Sequence, residues 1–135
     1  MTESTRAGGD EGEEHVVRAS RTVNAGPQRV WQHLISDAGT EALLGAGARL
    51  GSKGESWHCD DGPYGVVRSY HPLEQLRVSW HAEDGAAASL VDLHIRPDGE
   101  GTHLELVHER LSPNDPEADL QVRWDAALDR FTTGL

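Results

Sequence analysis

Between Glu55 and Arg110 the apolar residues recur at every second position in short runs, and no helical period intervenes. Leu76, Val78 and Trp80 alternate with Arg77, Ser79 and His81. Val91, Leu93 and Ile95 alternate with Leu90, Asp92 and His94, and Leu104, Leu106 and His108 with His103, Glu105, Val107 and Glu109. Successive side chains of a strand point to opposite faces, so each run reads as a half-buried strand. Turn signals separate them: Gly62-Pro63, Pro72, Glu83-Asp84-Gly85 and Pro97-Asp98-Gly99. The expected strands are 55–59, 64–71, 75–82, 89–96 and 102–110. With no crossover helix between them they must pair antiparallel, and such a meander buries one face.

What covers that face is legible at the C-terminus. Asp115 is placed to cap a helix and Pro116 to begin it. Leu120, Trp124, Leu128 and Phe131 then fall on one stripe, leaving Asp119, Arg123, Asp125, Asp129 and Arg130 to solvent. Before the meander, residues 15–23 read as a strand in which Arg21 interrupts the alternation. Gly26-Pro27 opens a helix whose stripe is Val30, Trp31, Leu34 and Ile35, and Ser36-Asp37 begins a second short one ending near Leu44-Gly45. Residues 1–14 are rich in Gly and acid and are expected to be a disordered tail. The expected fold class is α+β: a curved antiparallel sheet wrapped around a long C-terminal helix, in one domain over 15–135. Space between a curved sheet and its helix is the expected binding site.

The formal net charge of -11 repels phosphate backbones and anionic lipid, so neither nucleic acid nor a membrane is an expected partner. No run approaches the roughly 20 apolar residues of a membrane helix. Cys59 is the single cysteine, which excludes an internal disulfide and fits a cytoplasmic setting. Its neighbours Asp60 and Asp61 disfavour a thiolate, so Cys59 reads as a bland thiol. The eight histidines form no HxxxH or HExxH pattern. His58-Cys59-Asp60-Asp61 lies on a strand whose adjacent side chains diverge, so no metal is expected. Without a P-loop, GxSxG or dinucleotide fingerprint no cofactor is expected either.

Three segments carry a family likeness: RTVNAGPQRVWQHLISD from Arg21, GESWHCDDGPYGVVRSYHPLEQLRVSWHAED from Gly54, and VDLHIRPDGEGTHLELVHERL from Val91, joined by the helix holding Trp124. Over about residues 15–135 the chain resembles the SRPBCC (START-like) superfamily, and within it the bacterial proteins similar to the activator of the heat-shock-protein-90 ATPase. The resemblance implies the helix-grip fold. It implies little about activity, because that fold hosts many unrelated functions.

The candidate ligand contacts are Trp31, Trp57, Tyr70, Trp80, His108 and Trp124. Trp31, Trp80 and Trp124 sit on apolar stripes that converge on the interior, where a tryptophan is either core packing or a wall for a flat ligand. The resemblance implies that His108 points inward too, while Trp57 and Tyr70 are expected near the mouth. The register of residues 64–71 stays open between Arg68 with Tyr70 facing inward and Ser69 with His71. The resulting expectation is a monomer or weak homodimer that binds or sequesters a hydrophobic small molecule, lipid-like or a polyketide. Natural-product self-resistance is a special case the resemblance admits. The alternatives are a polyketide aromatase/cyclase using His108 or Tyr70 for proton transfer, and a chaperone-regulating interaction module.

Overall fold

A computed structural model describes residues 15–135; the expected tail over 1–14 lies outside them. The chain runs β1 (Val17–Val23), α1 (Pro27–Leu34), α2 (Asp37–Leu44), β2 (Ser56–His58), β3 (Tyr64–His71), β4 (Gln75–Trp80), β5 (Ser89–Asp98), β6 (Gly101–Glu109) and α3 (Glu117–Thr133). The strands form one six-stranded antiparallel sheet in the order β1-β6-β5-β4-β3-β2. The architecture is the antiparallel sheet around a C-terminal helix expected from the alternation and the stripe, and it matches the helix-grip fold that the resemblance implies.

The local physics follows the sequence closely. Gly26 is extended and Pro27 occupies the first turn of α1, where a missing N–H costs nothing. Val30, Trp31 and Leu34 face inward, whereas Ile35 is the C-cap and exposed. Ser36 Oγ accepts the Gly39 N–H at 3.0 Å and so caps α2. Leu120, Trp124, Ala127, Leu128 and Phe131 of α3 pack into a core shared with Val91, Leu93, Ile95, Leu104 and Leu106.

Four expectations shift. β5 continues through Pro97 and Asp98, so the hairpin turns on Gly99 and Glu100, with Gly99 at φ 61°. Asp115 does not cap α3: its carboxylate accepts the Ser112 N–H at 2.6 Å, and Pro116 precedes the first turn without a side-chain cap. Arg21 reaches across to α3, donating to Asp129 Oδ1 at 3.0 Å and the Asp125 carbonyl at 3.1 Å. The register of β3 follows neither of the two alternations. A bulge between Val67 and Ser69 inserts one residue, so Val67 is buried before it and Tyr70 lies against Trp31 after it.

Candidate functional site

At the end of the sheet where β4, β5 and β6 meet the N-terminal half of α3, polar and aromatic groups gather inside the core. Antiparallel pairing sets Val91 opposite His108 and Trp80 opposite Ser89. Ser89 and Val91 share a face, so the Ser89 hydroxyl reaches His108 diagonally across the hairpin. His108 is wholly buried. Its Nδ1 accepts the Trp124 Nε1–H at 3.0 Å, which places its own proton on Nε2. Nε2 then donates to Ser89 Oγ at 2.7 Å, and the Ser89 hydroxyl donates to the Trp80 carbonyl at 3.1 Å. Both imidazole nitrogens are thereby engaged and no lone pair is free to take a substrate proton. Burial, reinforced by the Arg123 charge and opposed by Asp115, pushes the His108 pKa down to about 4 from 6.5.

Aromatic rings enclose this chain. Trp80 meets His108 edge-on with centroids 4.9 Å apart, and Trp124 lies 6.3 Å from Trp80. The Arg123 guanidinium stands over both, 5.7 Å from the Trp80 ring and 5.6 Å from the Trp124 ring. One donor in the cluster is left over. Trp80 Nε1 is buried and has no hydrogen-bond partner among the described residues. An orphaned buried donor costs about 1–3 kcal/mol, so it calls for a reason.

The structure brings together three of the six candidate residues, Trp80, His108 and Trp124. Trp31 and Tyr70 form a separate pair on the same inner face, edge to face at 5.2 Å. Trp57 is buried rather than at a rim, because its Nε1 donates to the Ser79 carbonyl at 3.2 Å. Gly65 makes that approach possible: a methyl there would collide with the Ser79 carbonyl and lie 2.8 Å from the indole nitrogen.

Two members of the cluster escaped sequence reasoning. Ser89 opens its strand, and nothing local marks its diagonal partner. Arg123 reads as solvated from the α3 stripe, yet α2 covers a second side of that helix. Arg123 Nη2 donates to the Leu44 carbonyl at 2.9 Å and Arg130 Nε to the Ala42 carbonyl at 3.2 Å, so both hold the C-terminal end of α2. Cys59 Sγ donates to the same Leu44 carbonyl at 3.1 Å. Burial pushes its pKa up to about 11, with Asp61 and Asp60 adding to the rise and Arg123 opposing it.

Three clefts, of about 530, 630 and 580 Å³, open at the surface, and none is lined by any of the six candidate residues. The second lies between α2 and α3 and includes Arg123 in its lining. Among the described residues no group of three His, Cys, Asp or Glu is placed to hold a metal ion. No helix among them is long and apolar enough to cross a membrane.

Solved structures share this fold at low identity. CalU16 from Micromonospora echinospora superposes with a TM-score of 0.73 at 22% identity, over 89% of this chain and 83% of that one. DynU16, described as a putative protein in the dynemicin biosynthetic locus, gives 0.74 at 20%, over 87% of this chain but 46% of its own. The Aha1 dimer from Colwellia psychrerythraea gives 0.74 at 15%, over 89% and 95%. No curated protein matches the chain significantly. The model of the family described as "Activator of Hsp90 ATPase homolog 1-like protein" matches residues 24–135. With that match spanning most of its length, the chain belongs to the activator of Hsp90 ATPase homolog 1-like family.

Proposed function

We propose that the protein binds a small apolar aromatic molecule between the sheet and α3, without transforming it. The observation that carries this reading is the Trp80 Nε1–H, buried with no partner among the described residues, beside a hydrogen-bonded chain in which Trp124, His108 and Ser89 are all paired. A ligand carbonyl or hydroxyl is the acceptor that donor lacks, and the rings of Trp80 and Trp124 offer it aromatic faces. Trp31 and Tyr70 extend the same inner face and would meet the far end of a longer ligand. Trp57, with its donor already engaged, serves as support. Binding in place of catalysis follows from His108, whose two nitrogens are both committed. The description of DynU16 as a protein of a biosynthetic locus adds a reason to look for the ligand among biosynthetic products, with sequestration as the role.

The test is a titration of 2-naphthol against tryptophan fluorescence, with wild type beside Trp80→Phe. The reading expects saturable quenching in the wild type and a dissociation constant at least fivefold weaker in the variant, which keeps a ring but loses the N–H. Equal affinity in the two proteins would remove Trp80 from the site, and the absence of saturable binding in the wild type would remove the site itself.

A further inference from the structure

The cleft of about 630 Å³ between α2 and α3 has an unusual floor. Its walls are largely small and apolar: Ala38, Ala42 and Ala46 on the α2 side, Val122 and Ala126 on α3. Val122 is 69% exposed, an apolar side chain left uncovered in a chain with few of them. Into these walls are set Arg123 and Arg130, one on each side of Ala126 and Ala127 along α3. Among the described residues neither makes an ion pair within 4.0 Å, although the chain carries 23 acidic residues. Each spends one N–H on an α2 carbonyl, leaving further donors of its fork uncommitted. Of the two acids that line the cleft, Glu41 is engaged by Arg49 and the Gly47 N–H. Asp61 is the other.

Arg123 is also the partition between this cleft and the buried cluster. Arg123 lines the cleft, and its guanidinium stands over Trp80 and Trp124. Gly45 leaves room for this arrangement, since a Cβ there would lie 2.8 Å from Cys59 Sγ and 3.4 Å from Arg123 Nη2.

We propose that this cleft is the recognition subsite for a carboxylate on the ligand, with Arg123 as the residue that reads it and admits the aromatic body behind it. The proposal rests on the binding reading above and specifies its ligand class: an aromatic acid. The carboxylate takes the planar fork of Arg123 in a two-point contact, with Arg130 as a second cation. The ring system takes the place of the guanidinium against Trp80 and Trp124. In a protein of net charge -11, long-range forces repel an anion, so its recognition needs a local pair of cations that no acid among the described residues pairs.

The experiment compares 2-naphthoate with 2-naphthamide, which share a ring system and differ in charge, by fluorescence titration of wild type, Arg123→Gln and Arg123→Lys. The expected result is at least tenfold tighter binding of the acid than the amide in wild type. That ratio should fall to about one in Arg123→Gln and stay well above one in Arg123→Lys. Because Arg123 also holds the end of α2, a wild-type measurement stands beside the variants: raising salt from 20 to 500 mM should weaken the acid severalfold and leave the amide unchanged. Equal binding of acid and amide by wild type overturns the subsite while leaving the aromatic site in place. A preference for the acid that persists in Arg123→Gln overturns the role of Arg123. Failure of both compounds to bind overturns the subsite together with the reading beneath it.

Discussion

The sheet buries a polar knot on each of its faces, and the two are built on opposite principles. On the outer face Asp92 is buried to 3% exposure, yet its carboxylate shares the single Arg77 Nε–H between its two oxygens, at 2.9 and 3.0 Å, and accepts from Gln75 Nε2 at 2.9 Å. The hydrogen bond that Arg77 donates to Asp92 raises the pKa of Arg77. On the inner face His108 is neutral, and the donor beside it, Trp80 Nε1, has no partner among the described residues. The outer knot is complete without any other molecule. In the inner one His108, Ser89 and Trp124 are paired, and Trp80 Nε1 is buried with no partner among the described residues. The difference separates a polar group kept for stability from one that stability alone does not explain.

Breaking the outer knot should have the largest effect. Arg77→Leu leaves a buried carboxylate without its cation, and a loss of about 3–5 kcal/mol in urea unfolding is expected. A loss below about 1 kcal/mol would show that Asp92 reaches water and is not the closed structural pair described. The inner knot should instead announce itself through pH. The folded pKa of His108 lies near 4 and its unfolded value near 6.5, so between those values the unfolded chain binds more protons. Stability is therefore fully present above about pH 6.5 and is lost as the pH falls toward 4, by up to about 3 kcal/mol. His108→Gln should flatten this part of the stability profile; an unchanged slope would assign it to other groups.

The two inner tryptophans give a finer contrast. Trp124→Phe removes the donor to a buried imidazole as well as volume, and about 2–3 kcal/mol of destabilisation is expected. Trp80→Phe loses similar volume but also removes an orphaned donor, so the terms oppose and the net change should stay within about 1 kcal/mol. Equal costs for the two would mean that Trp80 Nε1 is satisfied in solution. The smallest effect concerns Cys59. With its pKa near 11, well under about 1% is thiolate at pH 8, and labelling by a thiol reagent should proceed only through opening of the fold. Labelling at the rate of a free thiol would place Cys59 at an accessible surface instead.

How far the sequence reached follows from the same physics. The β4, β5 and β6 alternations were readable because each strand keeps one face inward along its whole length, and they delivered Trp80 and His108 to the interior correctly. The β3 register was not readable, because the bulge after Val67 changes parity midway and leaves no mark in composition. The alternation of β5 puts Asp92 on the face opposite Val91 and Leu93. It is outward, but the Arg77 and Gln75 side chains beside it fold over the carboxylate, and alternation says nothing about how long neighbours lie. The single apolar stripe of α3 leaves Arg123 to solvent, whereas α2 gives that helix a second contact. The aromatic half of the candidate site was therefore visible in advance. Its hydrogen-bonded half, Ser89 and Arg123, depends on approaches across the hairpin and between helices that only the fold supplies.

The central claim is that Trp80 holds an unsatisfied donor ready for a ligand. It is tested most directly by the four indole N–H signals in a ¹H–¹⁵N spectrum recorded during titration with 2-naphthol. The signal of Trp80, assigned by its absence in Trp80→Phe, should move strongly to higher proton frequency as it gains an acceptor. The Trp57 signal, already bonded to the Ser79 carbonyl, should stay in place. A Trp80 signal that does not move while the protein saturates, or one already at the frequency of a hydrogen-bonded indole before ligand is added, would contradict the account.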